Sequence, residues 1–153
     1  MSERFALSKI FLTNAGWGAA ERWFLAGDAS DRSYDRLALG GKTAILMDAP
    51  PGKGDDPEIF LSIASHLLKL GLSAPHCLAQ DLTNGFLLLE DLGDDVYARL
   101  IKADPALENS LYTAATTVLV HLQAAPPAKN LPNLSAIDWA EAACFALDWY
   151  RFA

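Results

Sequence analysis

The chain has 153 residues, 52% hydrophobic and 20% charged, which is enough apolar mass for a core and too little charge for a disordered polymer. A formal net charge of −7 argues against a nucleic acid or an anionic membrane surface as the main partner. It leaves a nucleotide site open, because a few backbone donors and one Arg can hold a phosphate inside an acidic protein.

Taken from the N-terminus, Glu3, Arg4 and Lys9 interrupt any secretory apolar segment, and no later run approaches the roughly 18 apolar residues of a membrane span. Cys77 and Cys144 stand far apart with no ligand-spaced His or Cys nearby, which excludes a disulfide framework and fits a reducing compartment. The expectation is a soluble cytoplasmic chain forming a single domain or two small lobes. Ser2 to Thr13 predicts a short helix with Ser2 as N-cap and Phe5, Ile10, Phe11 and Leu12 on its apolar side. Trp17 and Trp23 read as packing residues.

Phe24 to Asp48 reads as three consecutive strands, the first ending near Ala26, the second over Ser33–Leu39 and the third over Thr43–Asp48. In the second, Tyr34, Arg36 and Ala38 alternate with Asp35, Leu37 and Leu39, a period of two that places Leu37 and Leu39 on the buried face. Gly40-Gly41 is a two-residue hairpin signal, since both central positions of a type I′ turn need positive φ. The first connection, Gly27 to Arg32, is longer than a tight turn requires and is rich in small residues beside Arg32. Several N–H groups of such a loop can converge on an anion, although a polar hairpin loop without a ligand has the same composition.

Ala49 to Asp56 is a Pro- and Gly-rich loop, after which Asp56 caps a helix with Pro57 in its first turn. Phe60, Ile63, Ala64, Leu67, Leu68 and Leu70 follow at helical spacing, His66 sits at their boundary, and Gly71 stops the helix. Two short strands come next, Cys77–Asp81 and Phe86–Leu89, joined by a turn containing Asn84-Gly85. The second has no polar alternation and is expected to be buried on both faces, before Glu90-Asp91-Leu92-Gly93-Asp94-Asp95 carries the chain out toward another lobe. The remainder is helical: Asp95 to about Ile101, then a longer helix capped by Asp104-Pro105 and running to Gln123, with His121 near its end. After a loop from Pro126 to Pro132, a last helix starts at Ser135 or Asp138 and is still apolar at Phe152.

This order of elements, an α+β small lobe of five antiparallel strands with one packed helix followed by the first helices of a large lobe, is that of the protein-kinase-like fold. Gly27 to Leu37, Ala44-Ile45-Leu46-Met47-Asp48-Ala49-Pro50-Pro51 and Gly85 to Gly93 together resemble the aminoglycoside phosphotransferase superfamily. Within it they are most similar to the bacterial cell-wall amino-sugar kinases that act on N-acetylmuramate and N-acetylglucosamine. The resemblance implies a nucleotide-binding small lobe over residues 1–90, a hinge at 91–94 and a partial helical lobe over 95–153. It implies ATP with Mg²⁺ as the nucleotide, and an amino sugar as acceptor in the complete protein. Gly27, Ala29, Ser30, Asp31 and Arg32 would cover the phosphates, Ile45 would line the adenine pocket, Met47 would also belong to the nucleotide-binding set, and Glu90 and Leu92 would read the base through their main chain.

Two departures qualify that implication. The third-strand Lys of kinases, as in Val-Ala-Ile-Lys, is replaced by Met47, and its helical Glu partner falls at Phe60, with Glu58 close by. Losing both charges together avoids leaving one unpaired. Arg32, Lys42 and Arg36 are the candidates to replace the cation. The second departure is that none of His66, His76 and His121 begins a His-x-Asp catalytic loop, so no residue here is assigned as base or metal ligand. The expectation is the ATP-binding portion of a phosphotransferase, inactive alone. A non-catalytic nucleotide-binding module is an alternative, as is an interaction fragment docking through Trp139, Phe145, Trp149 and Phe152.

Overall fold

The computed structural model describes residues 3–27, 31–53, 56–129, 131 and 133–150. Ser2, Ala29, Ser30 and Phe152, and the side chain of Trp149, lie outside the described residues. The elements are α1 (Glu3–Asn14), β1 (Glu21–Gly27), β2 (Ser33–Leu39), β3 (Lys42–Asp48), α2 (Pro57–Lys69), β4 (Cys77–Asp81), β5 (Phe86–Glu90), α3 (Tyr97–Ala103), α4 (Glu108–Ala124) and α5 (Ala136–Tyr150).

The five strands form one antiparallel sheet in the order β1-β2-β3-β5-β4. Gly40 and Gly41, at φ of +58° and +78°, join β2 to β3 as the two-residue hairpin requires. Alternation along β2, β3 and β5 divides the core into two layers. On one face Leu37, Ala44, Leu46, Phe86 and Leu88 pack against Phe11 and Leu12 of α1. On the other, Met47, Ala49, Leu87 and Leu89 pack with Tyr34, Ile45, and Phe60 and Leu61 of α2. β5 is therefore buried on both faces, and each of its fully covered leucines contributes about 1.5–3 kcal/mol of burial.

The five-stranded α+β small lobe is as expected, with α2 on one face of the sheet and α1 on the other. The apolar side expected of α1 is narrower than its composition suggests, because Phe5 and Ile10 remain exposed while Ser8, Phe11 and Leu12 are buried. Ser8 is held there by Arg22, whose Nη1 donates to Ser8 Oγ at 2.7 Å while its Nε pairs with Asp35 at 2.6 Å. Arg4 ties the same helix to the sheet by pairing with Asp48, donating to Asn84 O at 2.7 Å and lying over the Phe86 ring. Trp17 packs against the α1 layer, but Trp23 is 43% exposed, because β1 is an edge strand that pairs only with β2.

Asp56 caps α2 by accepting from Glu58 N at 2.8 Å, with Pro57 behind it, as the sequence predicts. Farther on, two expected starts move. α3 begins at Tyr97, not Asp95, and Asp104 caps a 3₁₀ turn over Pro105–Leu107 that leads into α4. Ser135 and Asp138 bond reciprocally at the start of α5: Ser135 N donates to Asp138 Oδ2 at 2.6 Å and Asp138 N to Ser135 Oγ at 3.3 Å. Trp139 and Phe145 are exposed on that helix. His121 Nε2 lies 2.9 Å from Leu70 O, so the end of α4 is tied to the carbonyl end of α2 and not only to its own dipole.

Candidate active-site cleft

The face of the sheet that carries Met47 opens, near the end of β5, into a cleft of about 280 Å³. Ile45 of β3, Leu89 and Glu90 of β5, and Leu92 of the connector line it, so three of the predicted site residues meet in one place. Strand alternation brings Tyr34 and Arg36 of β2 to the same face, and Phe60 of α2 closes it. The walls are mainly apolar and the polar groups cluster at the connector, which suits a flat heteroaromatic ring read at one edge. A second, mostly apolar groove of about 390 Å³ runs along α2 and shares Phe60 and Pro75 with the first. Arg32 borders this groove, near the end of the Gly27–Arg32 loop.

Gly27 ends β1 opposite Ser33, and a Cβ built there would meet only ordinary contacts, 3.7 Å from Arg32 O and 3.9 Å from Phe24. The position is compatible with other residues on local geometry. Asp31, the next described residue, has φ of +59°, a left-handed conformation at the mouth of the loop. Met47 does not line the cleft. It is 0% exposed and belongs to the same apolar cluster as Phe60, so the Lys and Glu places of kinases are filled by packing.

Of the candidate replacement cations, Arg36 is already engaged. Its Nη1 donates to Asp94 Oδ2 at 2.7 Å and its Nη2 to Asp91 Oδ1 at 3.1 Å, while Nε lies 2.9 Å from Asp91 Oδ2 without hydrogen-bond alignment. The side chains of Arg36 and Asp91 are 13% and 6% exposed, so this pair is less screened than one in open solvent. The bond from Arg36, with its charge and that of Arg99, holds the Asp94 carboxyl below its ordinary value of 3.8 despite an opposing desolvation effect. The guanidinium of Arg36 is raised in turn, chiefly by the bond to Asp94. Lys42 lies exposed beside the β2–β3 turn, at the opposite end of the ladder from the Ser33–Asp48 pair that adjoins Arg32.

At the start of the connector, Glu90 N donates to His76 O at 2.8 Å, and the Glu90 carboxylate accepts from His76 N at 3.1 Å. Both links fix Glu90 to the segment before β4. The network of Arg36, Asp91 and Asp94 could not be read from sequence spacing, since its partners are 55 and 58 residues apart. Phe60 reads in the sequence as a helix residue at the place of the kinase Glu, and nothing in the sequence singles out Pro75.

Another concavity, about 580 Å³, lies on the opposite side, between α1 and the β4–β5 turn. It gathers none of the predicted site residues, and its Asp81 carboxylate is taken by Asn84. Among the described residues no helix is long and apolar enough to cross a membrane, and no group of three or more His, Cys, Asp or Glu is arranged to hold a metal ion.

The chain is similar in sequence to known proteins. N-acetylmuramate/N-acetylglucosamine kinase of Caulobacter vibrioides is 39% identical over 156 aligned positions, covering 85% of this chain and 43% of that protein. The protein of the same name from Pseudomonas aeruginosa is 36% identical, covering 94% of this chain and 42% of its own length, and that from Pseudomonas putida is 36% identical, covering 83% and 37%. The chain thus spans less than half the length of these curated relatives. The profile of the phosphotransferase enzyme family matches residues 23–153, which takes in every strand of the sheet except the first two residues of β1, and the chain belongs to that family.

Proposed function

We propose that this chain forms the nucleotide-binding portion of an ATP-dependent amino-sugar kinase. The observation that carries the reading is the single cleft shared by Ile45, Leu89, Glu90 and Leu92, an apolar slot bordered by the chain's own connector. Ile45 and Leu89 would flank the adenine, the Glu90 carbonyl and Leu92 N–H would pair with its edge, and Phe60 would limit the depth of the slot. Toward the phosphates, the N–H groups of the Gly27–Arg32 loop would cover them, with Arg32 as the nearby cation in place of the absent third-strand Lys. When bound, ATP brings the transferable phosphoryl group, and Mg²⁺ neutralises its oxygens. Acceptor recognition, the orienting base and the Mg²⁺ ligands are assigned to the region of the relatives that this chain does not span. The amino-sugar acceptor is supported by the names of those relatives. On this reading residues 1–90 are the small lobe, 91–94 the hinge and 95–153 the beginning of the helical lobe, in a cytoplasmic protein.

Thermal unfolding with nucleotide tests the proposal. Ligand at ten times its Kd stabilises the folded state by about 1.4 kcal/mol. For a chain of this size that raises Tm by roughly 3–6 °C. Mg·ATP should give that rise and inorganic triphosphate should not. No rise at several millimolar ATP, or an equal rise with triphosphate alone, would overturn the assignment of an adenine slot.

A further inference from the structure

Arg36 lies on the cleft face of β2, yet its guanidinium points to the connector rather than into open space. Asp91 Oδ1, which accepts from Arg36 Nη2, also accepts from Gly93 N at 3.0 Å. One carboxylate oxygen therefore fixes the main chain on both sides of Leu92. Asp94, one residue farther on, is held by the other arm of the same guanidinium. The connector is thus gripped at two points by a residue of β2, a strand with which it makes no ladder pairing.

From this arrangement we infer that Arg36 is a positioning residue: through Asp91 and Gly93 it holds the Leu92 main chain in the orientation that meets the nucleobase. The inference rests on the nucleotide reading given above. It deepens that reading by giving Arg36 a role other than phosphate contact, since two carboxylates already engage its guanidinium. A floppy connector would have to be ordered at each binding event, whereas a clamped one presents its donor already aligned.

The test uses the full chain and two independent readouts: Mg·ATP affinity by calorimetry, and Gly93 amide exchange relative to the Leu88 amide of β5. Arg36→Met should speed Gly93 exchange roughly tenfold more than Leu88 exchange, because a local opening has been made easier. It should also weaken ATP binding roughly tenfold, about what one lost hydrogen bond removes. Arg36→Lys, which keeps the charge but cannot reach both carboxylates with one fork, should recover some of both effects. Arg22→Met breaks a comparable ion pair on the α1 side and should leave the Gly93-to-Leu88 ratio unchanged. If Arg36→Met fails to fold, Asp91→Ala supplies the same two readouts. The inference is overturned if the exchange ratio in the Arg36 variant matches that in Arg22→Met, or if the ratio rises while ATP affinity stays at the wild-type value. A wild-type chain that binds no ATP would refute the nucleotide reading, and the exchange arm would still decide whether Arg36 clamps the connector.

Discussion

Gly85 offers the sharpest test of how the sheet is joined to the loop before α2. It sits at φ of +73° in the turn before β5, and a Cβ there would lie 1.9 Å from Ala49 O and 3.0 Å from Ala49 C. The same residues are bonded, Ala49 N donating to Gly85 O at 2.8 Å, so the turn fastens the loop that leads from β3 to α2. For Gly85→Ala, the left-handed conformation costs about 1–2 kcal/mol. Because the clash is with backbone, it is relieved only by moving the loop and losing the Ala49–Gly85 bond, at about 1–3 kcal/mol. The expected total is about 2–5 kcal/mol, a large share of the roughly 5–15 kcal/mol that holds an ordinary domain. Gly41→Ala is the matched control, with φ of +78° and nothing within 4 Å of an added Cβ, so only the conformational cost applies. Urea unfolding followed by circular dichroism measures both. Equal destabilisation of the two variants would refute the argument that close approach, and not φ alone, requires glycine at position 85.

Other variants probe the rest of the molecule. Met47→Lys buries a charge at a fully covered position whose usual partner place is Phe60, and should cost about 3–5 kcal/mol. Adding Phe60→Glu should return some of that loss in a double-mutant cycle, and simple additivity would contradict the shared cluster. Asp56→Ala removes the side-chain cap of α2 and should cost about 1 kcal/mol in the same urea assay, with no change in m-value. The Asp94 carboxyl is held below its ordinary 3.8, so its stabilising contribution is present above that value and lost as pH falls through the lowered folded one. The stability gap between wild type and Asp94→Asn should therefore be constant from about pH 7 to 5 and close below about pH 4; a gap still full near pH 2 would contradict the Arg36–Asp94 pairing. Desolvation pushes the Cys77 thiol up even though the residue is exposed, so Cys77 should react with iodoacetamide more slowly than free cysteine at neutral pH.

The strands were legible because local chemistry specifies them. Alternation in Tyr34–Leu39, the Gly40-Gly41 turn and the unbroken Phe86–Leu89 run each point to one conformation, and the β2–β3 register follows from their turn. The cap at Asp56 was equally local. What the sequence did not disclose depends on partners distant in the chain. Arg36 reads as one polar residue in an alternating strand, and only the folded sheet brings it to Asp91 and Asp94. Ser8 breaks the apolar face of α1 for a reason that lies 14 residues away, in Arg22. Trp23 looks like a core residue by type, but its exposure follows from the edge position of β1, which composition does not encode. Of the residues that line the cleft, Ile45, Glu90 and Leu92 were named from the family resemblance, whereas Phe60 and Pro75 came to it through the path of α2 and the loop after it.

Amide chemical-shift mapping of the ¹⁵N-labelled chain during titration with Mg·ATP addresses the nucleotide assignment most directly. The largest changes should fall on Ile45, Leu89, Glu90, Leu92 and Gly93, with weaker ones near Arg32, while the α1–β4 concavity around Ile10 and Gln80 stays silent. Changes centred on that concavity, or none at millimolar ATP, would contradict the account.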